Sequence, residues 1–293
     1  VVAPSPSNSI FAGQGAIIAT SGLDNVVMKP RAFQMVNLAE RGARIAGGSR
    51  TASHVELRNA LREANELTQG EWADQDNLIT QADALALTQV LRGEQPLVIE
   101  AHRASDIRVI ISLAQEFPRL KIVLFGATEG WLVASELAEA YIPVIAESLQ
   151  ALPERFEQMA ATQSNIGRMH AAGVEVSFNA SSARFTHMFT QYAGNLVALT
   201  RVPGATGLEW PDALASISSG PANALGLGDE MGILKPGAVG DLVIWDGDPL
   251  EVSSAPTRVF IDGREVPLES HQTRLRERYR NLDESQRPKG YDR

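Results

Sequence analysis

The sequence predicts an α/β protein built on a parallel sheet, with a smaller β appendage behind it. Two observations carry this. Between residues 97 and 202, short continuous apolar runs alternate four times with helical patterns, as in strands covered on both faces. Beyond Pro211 that rhythm stops, and two strand-like runs follow, the second ending at the turn signal Asp262-Gly263. The length of 293 residues suits one α/β barrel, or a two-layer domain with a small appendage.

Each element can be justified in order. Residues 1–25 are rich in Gly, Ser and Pro and read as a loop with a short hairpin, and 32–38 as a strand. Gly47, Gly48 and Ser49 make a turn. Ser53 with Glu56 three residues on is a capping box that opens a helix through 57–67, and a second helix covers about 77–91. The regular part pairs strand 96–101 with helix 106–117, capped by Ser105. It continues with strand 121–125 and helix 130–140, strand 142–146 and helix 154–172, then strand 174–178 and helix 185–202. Four such units in succession require right-handed crossovers in one parallel sheet. Residues 212–218 and 221–225 are short helical pieces, 241–245 and 257–261 are antiparallel-type strands, and 268–283 is a charged helix. Its Arg274, Arg276, Arg278 and Arg280 are interleaved with acids, as on a solvated face.

Composition removes several classes of function. With 26 Lys+Arg against 35 Asp+Glu the formal charge is −9, which argues against a nucleic-acid partner. Hydrophobic residues at 44% and charged residues at 21% are those of a globular chain. No apolar run approaches the roughly 20 residues of a membrane span. The absence of cysteine excludes thiolate zinc sites, disulfides and cysteine nucleophiles. Val1 to Ala3 reads as the tail of a strand, with no leader pattern after it, so a processed product or a fragment is expected and the compartment stays open.

In a parallel βα array the reactive groups belong just after the strand C-termini, because the βα loops converge there. That rule selects residues 100–106, 126–129, 147–148 and 179–184. The first is the richest, with Glu100, His102, Arg103 and Asp106. Glu100 and His102 are two apart and would share a strand face, where they could ligate a divalent ion or exchange a proton. Arg103 could hold a substrate carboxylate in its fork. The competing reading is a local ion-pair cluster, with Asp106 favoured in a first helical turn. Glu129 likewise suits a helix start. Asn179-Ala180-Ser181-Ser182 offers hydroxyls, with His187 as the nearest base. His54, His170 and His271 read as ordinary helix or tail residues. Gly13-Gln14-Gly15 fails as a dinucleotide loop, since the third glycine would fall at Ile18.

The C-terminal stretch carries a resemblance. It comprises Gly220-Pro221-Ala222, Leu225-Gly226-Leu227, Gly232-Ile233-Leu234-Lys235-Pro236-Gly237, Gly240-Asp241-Leu242-Val243-Ile244-Trp245-Asp246-Gly247-Asp248-Pro249-Leu250 and Ile261-Asp262-Gly263-Arg264-Glu265-Val266. This series resembles the metal-dependent amidohydrolase superfamily, with the imidazolonepropionase-like branch nearest. The βα units from 97 to 202 resemble the second half of that family's barrel, and residues 13–16 and 47–50 its middle. The resemblance implies an incomplete TIM-type (β/α)₈ barrel over 1–225, part of a small β-sandwich over 226–267, and a charged helix or tail over 268–293. It also implies a divalent metal, zinc, that activates water for hydrolysis of amide or cyclic amide C–N bonds.

Set on this chain, the family's ligand positions are mostly substituted. No His-x-His pair of the first strand is present. The fifth-strand ligands become Glu100-Ala101-His102-Arg103, the sixth-strand histidine becomes Phe125-Gly126, and the eighth-strand aspartate is replaced within 180–182. The resemblance therefore leaves Glu100 and His102 as metal ligands and Arg103 as a substrate-binding residue, with no catalytic residue assigned. Two functions follow: an amidohydrolase, or a catalytically degenerate subunit acting as a binding or assembly partner. An incomplete barrel would expose a strand edge and apolar core. The cover expected for it is a missing N-terminal segment or a partner chain, in a homo- or hetero-oligomer.

Overall fold

A computed structural model describes residues 1, 3–4, 8–20, 26–73, 76–179 and 187–280. The chain forms a mainly parallel α/β sheet of six strands and a separate antiparallel sheet of three. A hairpin comes first, β1 (Phe11–Ile18) antiparallel to β2 (Val27–Asn37). Helices α1 (Glu40–Ile45), α2 (Arg50–Gln69) and α3 (Gln81–Leu91) follow. The βα units are β3 (Leu97–Ala101) with α4 (Ala104–Glu116), and β4 (Ile122–Gly126) with a 3₁₀ turn and α5 (Ala134–Glu139). They continue with β5 (Val144–Glu147) and α6 (Asn165–Ala171), then β6 (Val176–Asn179) and α7 (Phe189–Ala198). After α8 (Trp210–Ala215) and α9 (Ser219–Ala224) comes the small sheet β7 (Leu242–Trp245), β8 (Pro256–Ile261) and β9 (Arg264–Val266), and then α10 (His271–Arg280). Among the described residues no helix is long and apolar enough to cross a membrane.

The strands lie in chain order, β1 through β6, with β2 to β6 parallel. One face is built from Leu97, Ile99, Leu124, Val144, Val176 and their neighbours and packs on the helices as the main core. The other face carries Phe33, Met35, Val98 and Val123, covered by Ala224, Leu225 and Leu227. The C-terminal segment thus serves as a lid on the second face.

Several expectations are corrected in detail. Helix α2 starts at Arg50, one turn before the expected capping box, because Ser49 Oγ accepts from Ala52 N at 3.3 Å. Gly47 and Gly48, at φ +80° and +88°, hold the chain out of the helical region just ahead of it. Helix α4 is not capped by Ser105. Its first N–H, at Ala104, donates to Glu129 Oε2 from another loop, at 3.0 Å. The expected helix over 154–172 is interrupted: only α6 is helical throughout, and Phe156 is exposed while Glu157 and Gln158 are buried. Glu157 is drawn inward because its Oε2 accepts from Glu40 N at 2.7 Å, at the start of α1.

At one flank of the described sheet the chain lies against β6 itself: Phe178 N donates to Ser216 O at 3.4 Å, and Val176, Ser177 and Phe178 are buried. Gly220 sits so close that a Cβ there would stand 2.7 Å from Ser177 Oγ. That contact accounts for the glycine that opens the Gly220-Pro221-Ala222 motif.

The small sheet is tied to the helices by a short latch. Trp210 Nε1 donates to both carboxylate oxygens of Asp248 at 2.9 and 3.0 Å, and Asp248 Oδ1 also accepts from Leu250 N at 2.9 Å. Leu250 then enters the main core, and its carbonyl lies where a Cβ on Gly194 of α7 would stand 2.2 Å away. The turn between β8 and β9 runs through Asp262 and Gly263, both at positive φ, as the Asp-Gly signal requires.

Candidate functional site

The C-terminal ends of β2 to β6 form the candidate site. Register places Asn37, Glu100, Phe125 and Ile145 side by side on four neighbouring strands. These four residues, with Met35 and Val98, line one cavity of about 330 Å³ on the sheet's inner face. One layer further along the strands, Glu147 pairs in register with Asn179. The alternation of a strand therefore sends Glu100 inward while Ile99 and Ala101 face the helices.

Glu100 and His102 come together as expected. His102 Nε2 is 3.8 Å from Glu100 Oε1, and the imidazole is 5% exposed. Each is held by residues that the sequence reading passed over. Asn37 Nδ2 donates to Glu100 Oε2, while Asn37 Oδ1 accepts from Gly42 N at 2.8 Å. Thr128 Oγ1 lies 2.8 Å from His102 Nδ1 and donates to Gln150 Oε1 at 3.0 Å. A threonine hydroxyl has one proton, so with that proton given to Gln150, Thr128 accepts from His102 Nδ1–H and the ring's Nε2 faces Glu100. Gly126 and Ala127, at φ +91° and +44°, turn the loop after β4 back over this ring. Ala127 is strained there, and Ala127 N donating to Ala101 O at 2.8 Å helps to hold it.

Arg103 and Asp106 leave this cluster. Arg103 occupies the N-cap position of α4, with Nη2 3.9 Å from Glu40 Oε1. Asp106 faces α2, where Arg50 Nη1 donates at 2.8 and 2.9 Å and His54 Nε2 stands at 3.5 Å. Burial pushes the Asp106 carboxyl up, but His54 and the Arg50 guanidinium outweigh it and hold it below the usual carboxylate range. The ion-pair reading is therefore right for Asp106. Its contribution to stability is complete above the ordinary carboxylate pKa and is lost as pH falls through the lower folded-state value. Asp106→Asn is expected to cost about 1–2 kcal/mol near neutral pH and to flatten the acid limb of the stability profile. Denaturant midpoints measured from pH 3 to 7 check this: parallel curves for the two proteins would contradict it.

The other candidates divide similarly. Glu129 is structural, capping Ala104 N with one oxygen and accepting from Ala160 N at 3.3 Å with the other. Glu147 is the titratable group that the sequence reading undervalued. Burial raises its carboxyl, His102 and Arg155 pull it down, and Glu154 and Glu100 push it up. Asn179 is described, but Ala180, Ser181 and Ser182 lie outside the described residues, and with them the replaced aspartate position and the Ser–His187 pairing. His54 lies against Asp106, His170 Nε2 is 3.3 Å from Asp212 Oδ2, and His271 begins α10 in an exposed position.

A hydrolytic metal centre needs about three protein ligands with one position left open. In the row next to Glu100 stand Phe125 and Ile145, which have no donor atom. Among the described residues no three His, Asp or Glu side chains converge to hold an ion. The described donor set, Glu100 and His102, does not fit a catalytic metal.

Sheet order, strand-end site and C-terminal segment together define an α/β protein with a mainly parallel sheet and a small antiparallel one. The model of the amidohydrolase family matches residues 180–267. Over 238 residues the chain is 26% identical to amidohydrolase tasK of Hapsidospora irregularis, an overlap of 74% of this chain and 24% of that protein. The crystal structure of an amidohydrolase from Thermotoga maritima MSB8 superimposes with a TM-score of 0.75 at 27% identity, covering 89% of this chain and 70% of that one. Over most of its length this chain is thus similar to proteins of the amidohydrolase superfamily, a family that is generally metal-dependent. It spans about a quarter of the length of the curated relative it matches.

Proposed function

We propose that this chain is a catalytically degenerate, amidohydrolase-like binding or assembly subunit of the imidazolonepropionase-like branch. One observation carries the reading: on the two strands that follow Glu100 in the strand-end row, the positions are the apolar Phe125 and Ile145. A carboxylate bonded to Asn37 on one side and bordered by Phe125 on the other is suited to orienting a polar group of a bound molecule, not to completing a coordination sphere. Glu100 and His102 are what remains of the ligand set. A partner chain or further segment would complete the barrel and any site that turns over.

The second reading is hydrolysis of amide or cyclic amide C–N bonds. It is favoured by His102, whose Nδ1–H is anchored on Thr128 and whose Nε2 faces the Glu100 carboxylate, the orientation of a proton-transfer group or a ligand. Elemental analysis of the purified chain separates the two. Well under one equivalent of zinc is expected, with a melting temperature unmoved by chelator, since a two-ligand site adds little folded-state stabilisation by mass action. Stoichiometric zinc that is lost in Glu100→Ala or His102→Ala would reinstate the hydrolase.

A further inference from the structure

No residue of helix α10 is buried, and Tyr279 is 53% exposed. Its side chains are nonetheless sorted by type around the helix. Leu275 and Tyr279, four apart, form an apolar pair on one face. Arg274 and Arg278 border that pair on one side and Arg276 and Arg280 on the other, and the single acid, Glu277, lies opposite. Arg274 pairs with Glu269 and Arg280 with Glu277, while Arg276 and Arg278 have no ion-pair or hydrogen-bond partner among the described residues. An apolar strip edged by cations on both sides is the pattern of a docking helix with an acidic counterpart.

A matching surface lies on the same chain. The loop between β7 and β8, residues 246–255, carries Asp246, Asp248 and Glu251 and no base. Next to Glu251, Val252 is 77% exposed. The loop is held in shape, since Asp246 Oδ1 accepts from Ala255 N at 2.7 Å, Asp248 holds Trp210, and Leu250 enters the main core. The Glu251 carboxylate has no partner among the described residues.

We propose that α10 of one copy docks on the β7–β8 loop of a second copy, and that two chains exchange this contact as a symmetric dimer. Leu275 and Tyr279 close over Val252, and Arg276 and Arg278 meet Glu251 and Asp246. Charge selects this occupant: α10 holds four arginines and one glutamate in a chain of formal charge −9, so its counterpart is an acidic surface, and every copy supplies one. An anionic bilayer fits less well, because two apolar side chains insert little hydrocarbon and the acidic remainder of the chain is repelled. The contact is small, so the dimer is weak and sensitive to salt. It does not depend on whether the strand-end site turns over a substrate.

Sedimentation velocity of the full chain over a concentration series, at low and high salt, tests this. A concentration-dependent dimer is expected, and salt should weaken it. Arg276→Glu together with Arg278→Glu should weaken it by about tenfold, and Glu251→Arg several-fold, since each replaces an attraction by a repulsion. All three reversals in one chain restore opposite signs and should bring the dimer back to within about threefold of the parent. None of the replaced side chains is buried, and circular dichroism checks that the variants are folded. A monomer at every concentration overturns the proposal, including the case in which α10 folds onto its own loop. A dimer unmoved by the reversals overturns it by placing the interface elsewhere. Weakening without recovery in the combined chain overturns the pairing with the β7–β8 loop. Co-sedimentation with phosphatidylserine vesicles that the arginine double variant loses, with no dimer formed, would make α10 a bilayer anchor and overturn the second copy as its partner.

Discussion

Replacing Gly126 by alanine is expected to destabilise the chain by about 3 kcal/mol and to uncouple His102 from Thr128. Two effects combine. The residue sits at φ +91°, where a Cβ is strained whatever the surrounding space. That Cβ would also lie 2.6 Å from His102 Cε1 and 3.0 Å from Nδ1, closer than van der Waals contact allows. The imidazole is buried between β3 and the loop after β4, so it can yield only by breaking its bond to Thr128. Denaturant unfolding gives the stability, and nitrogen shifts of the His102 ring report the tautomer. A variant within about 0.5 kcal/mol of the parent that keeps the Nδ1–H form would show this account of the site to be wrong, since surface-like changes lie in that range.

Truncating Leu250 to alanine is expected to cost about 2–5 kcal/mol, the range for a large-to-small change in a packed core. Leu250 is 5% exposed and is the residue through which the segment after β7 enters the main core. The loss should be uneven across the molecule. With the latch weakened, the Trp210–Asp248 bonds lose their support, and amides of β7, β8 and β9 should exchange faster while those of β3 and β4 change little. Hydrogen exchange followed by mass spectrometry checks this. Equal acceleration in both sheets would mean that Leu250 contributes to one cooperative unit without acting as a tether.

The parallel strands were legible because their burial on both faces writes itself as unbroken apolar runs, as in Leu97-Val98-Ile99 and Ile122-Val123-Leu124. The inward direction of Glu100 and His102 followed from the two-residue period alone. What holds them was not legible. Asn37 meets Glu100 across 63 residues of sequence, and Thr128 was one hydroxyl in a loop where Glu129 drew attention as the only titratable group. The interruption of the 154–172 helix was hidden for a related reason. Amphipathic patterning assumes that polar side chains seek solvent, whereas Glu157 is buried to serve a backbone N–H at the start of α1. The separation of Asp106 from Glu100 was unreadable because Arg50 and His54 reach it from a helix more than 50 positions earlier.

The cover over β6 restricts how this sheet can grow. Residues 216–220 occupy the flank where a seventh strand would dock, and Gly220 leaves no clearance against Ser177. At the opposite flank, β1 is interrupted by three register shifts along its pairing with β2, so its backbone presents no even ladder to a newcomer. A polypeptide completing the barrel must therefore either evict the 216–220 segment or enter beside β1 with a matching set of irregularities. Accretion is thereby selective: a generic β-strand meets a blocked flank or a kinked one, and only a strand shaped to one of them can join.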